Sequence, residues 1–335
     1  MLDFRVNEFT KESIVNFAQK KNKMKFILAF ISLTFFTVSN AQDTLVEKSN
    51  WKTQATFGLN GTQSSFFNWS AGGRNNISLL SFIESSANYA KNDLKWSNDL
   101  GIALGGIQYI GIGSPKEIQK SDDKIDFATN FGLKMKKDWY YSILGSFKTQ
   151  FLDGFSFPND SVRVSSFMAP GYLTLAFGLD YSPNDNFTLL ISPIASKMTF
   201  VGVSDLADAG AYGVDAAELD ALGNVITAGK KFRGEFGAYI KLKYNKELAK
   251  NILMKSKLEL FSNYANNPGN IDINADIIFN FKVNSWFSAS LNWTLLYDDD
   301  IQITDAKGNV GPRTQFKSIL GVGVSYTMKN LKEKK

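Results

Sequence analysis

From Trp51 onward the apolar positions recur at every second residue. Ile125, Phe127, Phe131, Leu133 and Met135 alternate with Asp126, Asn130 and Lys134. Phe236, Ala238, Ile240, Leu242 and Tyr244 alternate with Glu235, Lys241 and Lys243. Ile271, Ile273, Ile277, Phe279 and Phe281 alternate with Asp272, Asn274, Asp276 and Asn280. Successive side chains of a strand point to opposite faces, so this period builds strands with one apolar and one polar face. Strands are expected at 51–60, 74–90, 94–109, 123–136, 139–152, 165–181, 186–200, 231–244, 252–264, 270–283, 286–297 and 314–328. Many are about twice the five or six residues usual for a soluble strand. Such length suits tilted strands that cross a bilayer.

The connections alternate in length. Short turns fall at Lys91 to Asp93, Lys136 to Asp138, Ser182 to Asp185, Asn245 to Asn251 and Asn284-Ser285. Longer loops fall at 61–73, 110–122, 153–164, 201–230, 265–269 and 298–313, although 265–269 is short for its class. Short turns at one end and long loops at the other are the habit of bacterial outer-membrane barrels, turns inside and loops outside. The expected fold is therefore all-β: a transmembrane up-and-down antiparallel β-barrel of about 12 strands, with both barrel termini periplasmic.

Aromatics on the apolar parity cluster at both strand ends. Beside the turns they include Tyr89, Trp96, Tyr141, Tyr181, Phe187, Tyr244, Phe287 and Tyr326; beside the loops, Tyr109, Phe151, Phe167, Phe232, Tyr264, Tyr297 and Phe316. Two such belts mark the two interfaces of a membrane band about 25 Å tall. Trp96, Tyr141, Tyr181, Tyr244 and Tyr326 are taken as interface-belt residues. The rival fold is a soluble sandwich or barrel with its apolar face inward, which shares the period; strand length, belts and export signal favour the membrane.

Export is read from residues 1–41. Lys20, Lys21, Lys23 and Lys25 precede the apolar run Phe26 to Val38, and Ser39-Asn40-Ala41 supplies small residues for cleavage after Ala41. Met24 would itself open an ordinary signal peptide, which leaves 1–23 as an extension. Residues 42–50 then form a periplasmic tail, 51–328 the barrel and 329–335 a second periplasmic tail. The formal charge of +5 falls largely on the leader, which removes the main support for a nucleic-acid partner. A mean hydropathy of −0.15 argues against a helical membrane protein, while 28 Phe demand an apolar surface somewhere. Alternating strands satisfy both.

The chain has neither Cys nor His. Thiolate chemistry and a Ser–His hydrolase are thereby excluded. No catalytic residue, metal ligand or cofactor site is assigned, and the chain is read as no enzyme. Asp298-Asp299-Asp300, with Asp305 and Asn309, offers oxygen ligands for Ca²⁺ but matches no EF-hand spacing. The polar parity supplies lumen candidates: Lys241, Lys243, Lys255, Lys257, Glu235, Glu259, Asp272 and Asp276. Four lysines on neighbouring strands could attract anions, or the adjacent carboxylates could neutralise them. The Ala- and Gly-rich 201–230 segment reads as a mobile flap or plug with short helical stretches. Gly105-Gly106, where the apolar parity changes between Leu104 and Ile107, signals a bulge.

Trp51-Lys52, Gly58-Leu59-Asn60, Thr62-Gln63 and Phe67-Asn68-Trp69-Ser70-Ala71-Gly72-Gly73 resemble the opening of a Bacteroidota family of outer-membrane β-barrels, domain of unknown function 3078. The resemblance extends to Met168-Ala169-Pro170-Gly171-Tyr172, and within it Asn68, Trp69, Ser70, Gly72 and Gly73 form the family-like loop. It implies an envelope location and a barrel, and supplies no catalytic residues. Asp43-Thr44-Leu45 and Asp160-Ser161-Val162 are also similar to the O-glycosylation acceptor pattern of that phylum. The expected partners are outer-membrane lipid and other envelope proteins. The expected role is a narrow, porin-like channel for small polar solutes; the alternative is a structural or partner-binding subunit with a plugged lumen.

Overall fold

A computed structural model describes residues 49–65, 74–111, 118–156, 161–304 and 308–330. Long strands dominate it: β1 Trp51–Ser64, β2 Asn75–Lys91, β3 Leu94–Ile110, β4 Gln119–Lys136, β5 Trp139–Thr149 and β6 Gly171–Asn184. They continue as β7 Phe187–Phe200, β8 Phe232–Ala249, β9 Ile252–Asn263, β10 Ile271–Lys282, β11 Phe287–Tyr297 and β12 Gln315–Lys329. Each strand runs antiparallel to the next, and β1 pairs with β12, Phe57 opposite Tyr326. The twelve strands thus form a closed up-and-down barrel, and closure leaves no unpaired edge.

The hairpin turns are tight because Asn92, Asp138 and Asn251 adopt the left-handed conformation, at φ 53°, 61° and 68°. Asn and Asp tolerate it better than other side-chain-bearing residues. Asn251 lets β8 continue to Ala249, so the turn expected over Asn245 to Asn251 contracts to Lys250-Asn251. Trp51 faces Tyr89 and Gln54 faces Lys329, which places both ends of the barrel at the turn side.

Three local expectations change. First, β6 starts at Gly171 and not at 165. Arg163–Ser165 forms a separate ribbon with Gly154–Phe155, and the Gln150 amide donates to the carbonyls of Ser166 and Ala169, folding the chain back. Phe151 and Phe167 consequently stand in this loop and not at strand ends. Second, the bulge beside Gly105-Gly106 exists, but its extra residue is Ser121 on β4, since Gly105 pairs with Asp122 and Gly106 with Lys120. The β2–β3 register stays unbroken, so Ile107 and Tyr109 keep the inward parity of Gly105. Third, a bulge at Ser192-Pro193 lets Ile191 and Ile194 both face outward. The Ser192 hydroxyl donates to the carbonyls of Phe177 and Ile194, and Pro193 needs no ladder donor.

The outer face is apolar over its whole circumference. Leu79, Phe131, Ile143, Phe177, Ile194, Phe236 and Leu320 are all exposed. The 201–230 segment is folded: α1 Ser204–Asp208 and a 3₁₀ turn Ala211–Gly213 pack Leu206, Ala207 and Val214 on Val201 and Ala169. Tyr212 donates to the Val164 carbonyl at 2.5 Å, and burial pushes its phenol up to about 12, so it remains a donor. The segment is a structured cap tied to the neighbouring loop.

Candidate functional site: the lumen

Alternation places the polar parity of every strand inside the barrel, and the ionisable side chains there find one another. Lys257 Nζ lies 2.6 Å from Asp126 and 3.4 Å from Asp276. Lys255 reaches Glu84 at 2.6 Å, and Lys243 pairs with Asp99. Lys148 pairs with Glu259, whose other oxygen is 3.4 Å from Lys241. Nearer the loops Lys197 lies 2.5 Å from Asp272, 2.8 Å from Asp298 and 3.9 Å from Glu235. Arg233 pairs with Glu235 and Asp300 and donates to the Gly213 carbonyl of the cap. All eight ionisable residues named from the sequence for the lumen therefore take part in ion pairs, which fall into five separate groups.

The topology makes these pairs more than neighbours. In a ring of twelve strands no two are more than six places apart. Lys257–Asp126, Lys243–Asp99 and Lys255–Glu84 each join strands five places apart, so they cross the lumen. Lys52–Asp185, at 2.8 Å, spans the turn-side mouth in the same way but is largely exposed. The four lysines that could have drawn anions are thus each paired with a carboxylate, three of them across the bore.

An apolar core lies beside these pairs. Leu144, Ala176, Leu190, Ala195, Tyr239 and Phe261 are buried together inside the barrel, on the β5 to β9 side. Sequence reasoning missed it. The signal was large apolar residues on the otherwise polar parity, as with Leu144 between Ser142 and Ser146. Towards the loops the lumen opens into a chamber of about 780 Å³, part of it open to solvent, walled by Tyr172, Lys197, Asp272, Asn274, Leu296 and Gln315.

Of the acidic run 298–300, Asp298 pairs with Lys197 and Asp300 with Arg233. Asp272, Asp298 and Asp299 bring carboxylate oxygens within 4.8 Å of one another. Lys197 already neutralises two of these groups, while Asp299 accepts from the Asn270 amide at 2.6 Å. Asp305 lies outside the described residues. So do the family-like loop residues Asn68, Trp69, Ser70, Gly72 and Gly73, the leader 1–41, and the glycosylation pattern at 43–45 with Asp160.

Aromatics girdle the turn end. Trp51 lies 5.2 Å from Tyr89 and 5.4 Å from Trp96, ring to ring. Trp139, Tyr181, Phe187 and Tyr244 follow in a chain of contacts between 4.9 and 6.4 Å. Tyr141 and Tyr326 stand exposed on the same face. The members missed from sequence, Trp51, Trp139 and Trp286, lie at strand starts or within a turn, where parity is hard to assign. At the loop end Phe200 meets Phe232, and Phe236 meets Tyr264.

A family model described as "Protein of unknown function (DUF3078)" matches residues 62–155, less than a third of the chain. The chain is similar to that family over this stretch. No curated protein matches it in sequence. Among solved structures, an outer membrane channel from Pseudomonas putida F1 aligns with a TM-score of 0.36 and 8% identity, over 86% of this chain and 99% of that one. The NanC porin gives 0.33 and 9%, over 82% and 98%. The translocator domain of the autotransporter NalP from Neisseria meningitidis gives 0.28 and 11%, over 92% and 97%. At these scores the likenesses lend no weight to any function.

Proposed function

We propose that the chain spans a bacterial outer membrane as a non-enzymatic barrel whose lumen is a narrow path for small polar solutes, held shut by ion pairs. One observation carries the membrane reading: an exposed apolar band surrounds a polar lumen and is edged by aromatic girdles. Ile143, Phe177 and Leu320 are 58%, 49% and 61% exposed. In water such a continuous surface drives association; in lipid it is the required surface, and closure pairs each strand of the wall with a neighbour on both sides. The periplasmic placement of both termini follows from their position at the short-turn end.

Two measurements test this reading. Native and boiled samples should migrate differently on a gel, and an unchanged band would count against the barrel in detergent. In planar bilayers the wild type should show rare, small conductance steps. Replacing both Lys243 and Lys257 by Ser should raise conductance several-fold by removing two of the crossing pairs. A second reading, a plugged subunit that docks other envelope proteins, is favoured by the folded 201–230 cap and the buried lumen core. Silence of wild type and variant alike would establish it over the path.

A further inference from the structure

The loop-side chamber differs in chemistry from the ion-paired section beneath it. Its ionic groups are already paired, Lys148 with Glu259 and Lys197 with Asp272 and Asp298. Four of its neutral polar groups are not. Among the described residues, the Tyr172 phenol, the Thr174 hydroxyl and the Asn274 and Gln315 amides line the chamber without a hydrogen-bond partner in the protein. They project from β6, β10 and β12, and so face the space from different sides. The floor is made of rings, Tyr239 and Phe261, with the Lys197 ammonium 5.7 Å from the Phe261 centroid.

A small-molecule site combines an apolar surface with a few convergent polar groups that fix orientation. Here those groups are a phenol, a hydroxyl and two amides, each able both to donate and to accept. A ligand bearing several hydroxyls answers all of them, and its C–H faces can lie on the ring floor. Charge selects further. The lining holds two lysines against three carboxylates, so an anion meets an excess of like charge. A cation would compete with lysines already seated on those carboxylates. We infer that the chamber binds a neutral, polyhydroxylated molecule of mono- or disaccharide size. This deepens, and rests on, the reading of the lumen as a polar path entered from the loop side.

The test uses the full chain in detergent, titrated by calorimetry with maltose, with sodium gluconate as an anionic polyol and with glycine betaine as a zwitterion. Saturable binding is expected for maltose alone. Tyr172→Phe, which keeps the ring, should weaken it several-fold, and Asn274→Ala combined with Gln315→Ala about tenfold. Each variant is first required to show the heat-dependent gel shift of a folded barrel. Absence of saturable maltose binding, or binding unmoved by all three substitutions, would overturn the site. Binding of gluconate or betaine in its place would overturn the ligand class. Bilayer conductance separates the two readings: conductance without maltose binding leaves the path and removes the site, whereas maltose binding without conductance does the reverse.

Discussion

The two walls of the lumen are built on opposite plans. From β8 to β10 the inward positions carry long charged side chains, Lys241, Lys243, Lys255, Lys257 and Glu259 among them, and Lys243, Lys255 and Lys257 reach across the bore. From β11 through β12 to β1 they carry Ser288, Ser290, Gly321, Gly323, Thr56 and Asn60. Here short side chains bond along the wall: Thr56 with Thr327 at 3.0 Å, Ser288 with Ser325 at 3.2 Å. Asn60 donates to the Ser290 hydroxyl at 3.1 Å by passing over β12, where Gly321 leaves room. One wall is sensitive to charge and the other to volume.

Breaking the charged wall should cost most. Glu259 is 5% exposed and compensates both Lys148 and Lys241. Removing one partner of a buried pair leaves uncompensated charge, so Glu259→Ala should lose about 3–5 kcal/mol in urea unfolding from micelles. A loss below about 1 kcal/mol, the range of exposed pairs, would mean that the network is solvated and the two walls are alike. Next comes volume on the opposite wall. A Cβ on Gly323 would fall 1.9 Å from the Leu59 carbonyl oxygen, a backbone atom that cannot swing aside. Gly323→Val should therefore cost about 1–3 kcal/mol and slow barrel assembly, read as delayed appearance of the heat-shifted band. Normal assembly would show that the seam between β1 and β12 has slack.

Asn60→Ala removes one neutral bond from the small-residue wall and should cost about 1 kcal/mol, measured by the same unfolding. Ser290→Ala should add little to it, because the two share that bond. The smallest effect belongs to Lys52→Ala. Its pair with Asp185 spans the mouth, but the two side chains are 55% and 85% exposed. Exposed pairs contribute little, so stability should be unchanged within error, and a clear loss would extend the charged plan to the turn-side rim.

Strand positions were legible because a half-apolar strand must alternate, and the turns because Asn92, Asp138 and Asn251 suit left-handed backbone. What period could not show was pairing through space. Lys257 and Asp126 lie far apart in sequence, and their meeting depends on the ring order of the strands and the shape of the closed bore. Likewise 165–170 reads as the start of a strand, since Phe167 is an apolar residue among polar ones. Tertiary bonds from Thr149 and Gln150 to the backbone before Gly171 turn it into a loop. Tyr109 was misplaced because parity read on β3 alone cannot reveal that β4 carries the extra residue. The loop-side chamber had no sequence signature at all, its walls being assembled from every strand between β5 and β12.

The crossing pairs also have a mechanical meaning. A tube of hydrogen-bonded strands resists stretching along its wall but flattens or rounds easily. Ties such as Lys243–Asp99 and Lys255–Glu84 fix its diameter from within, as guy lines do, and at two places at once.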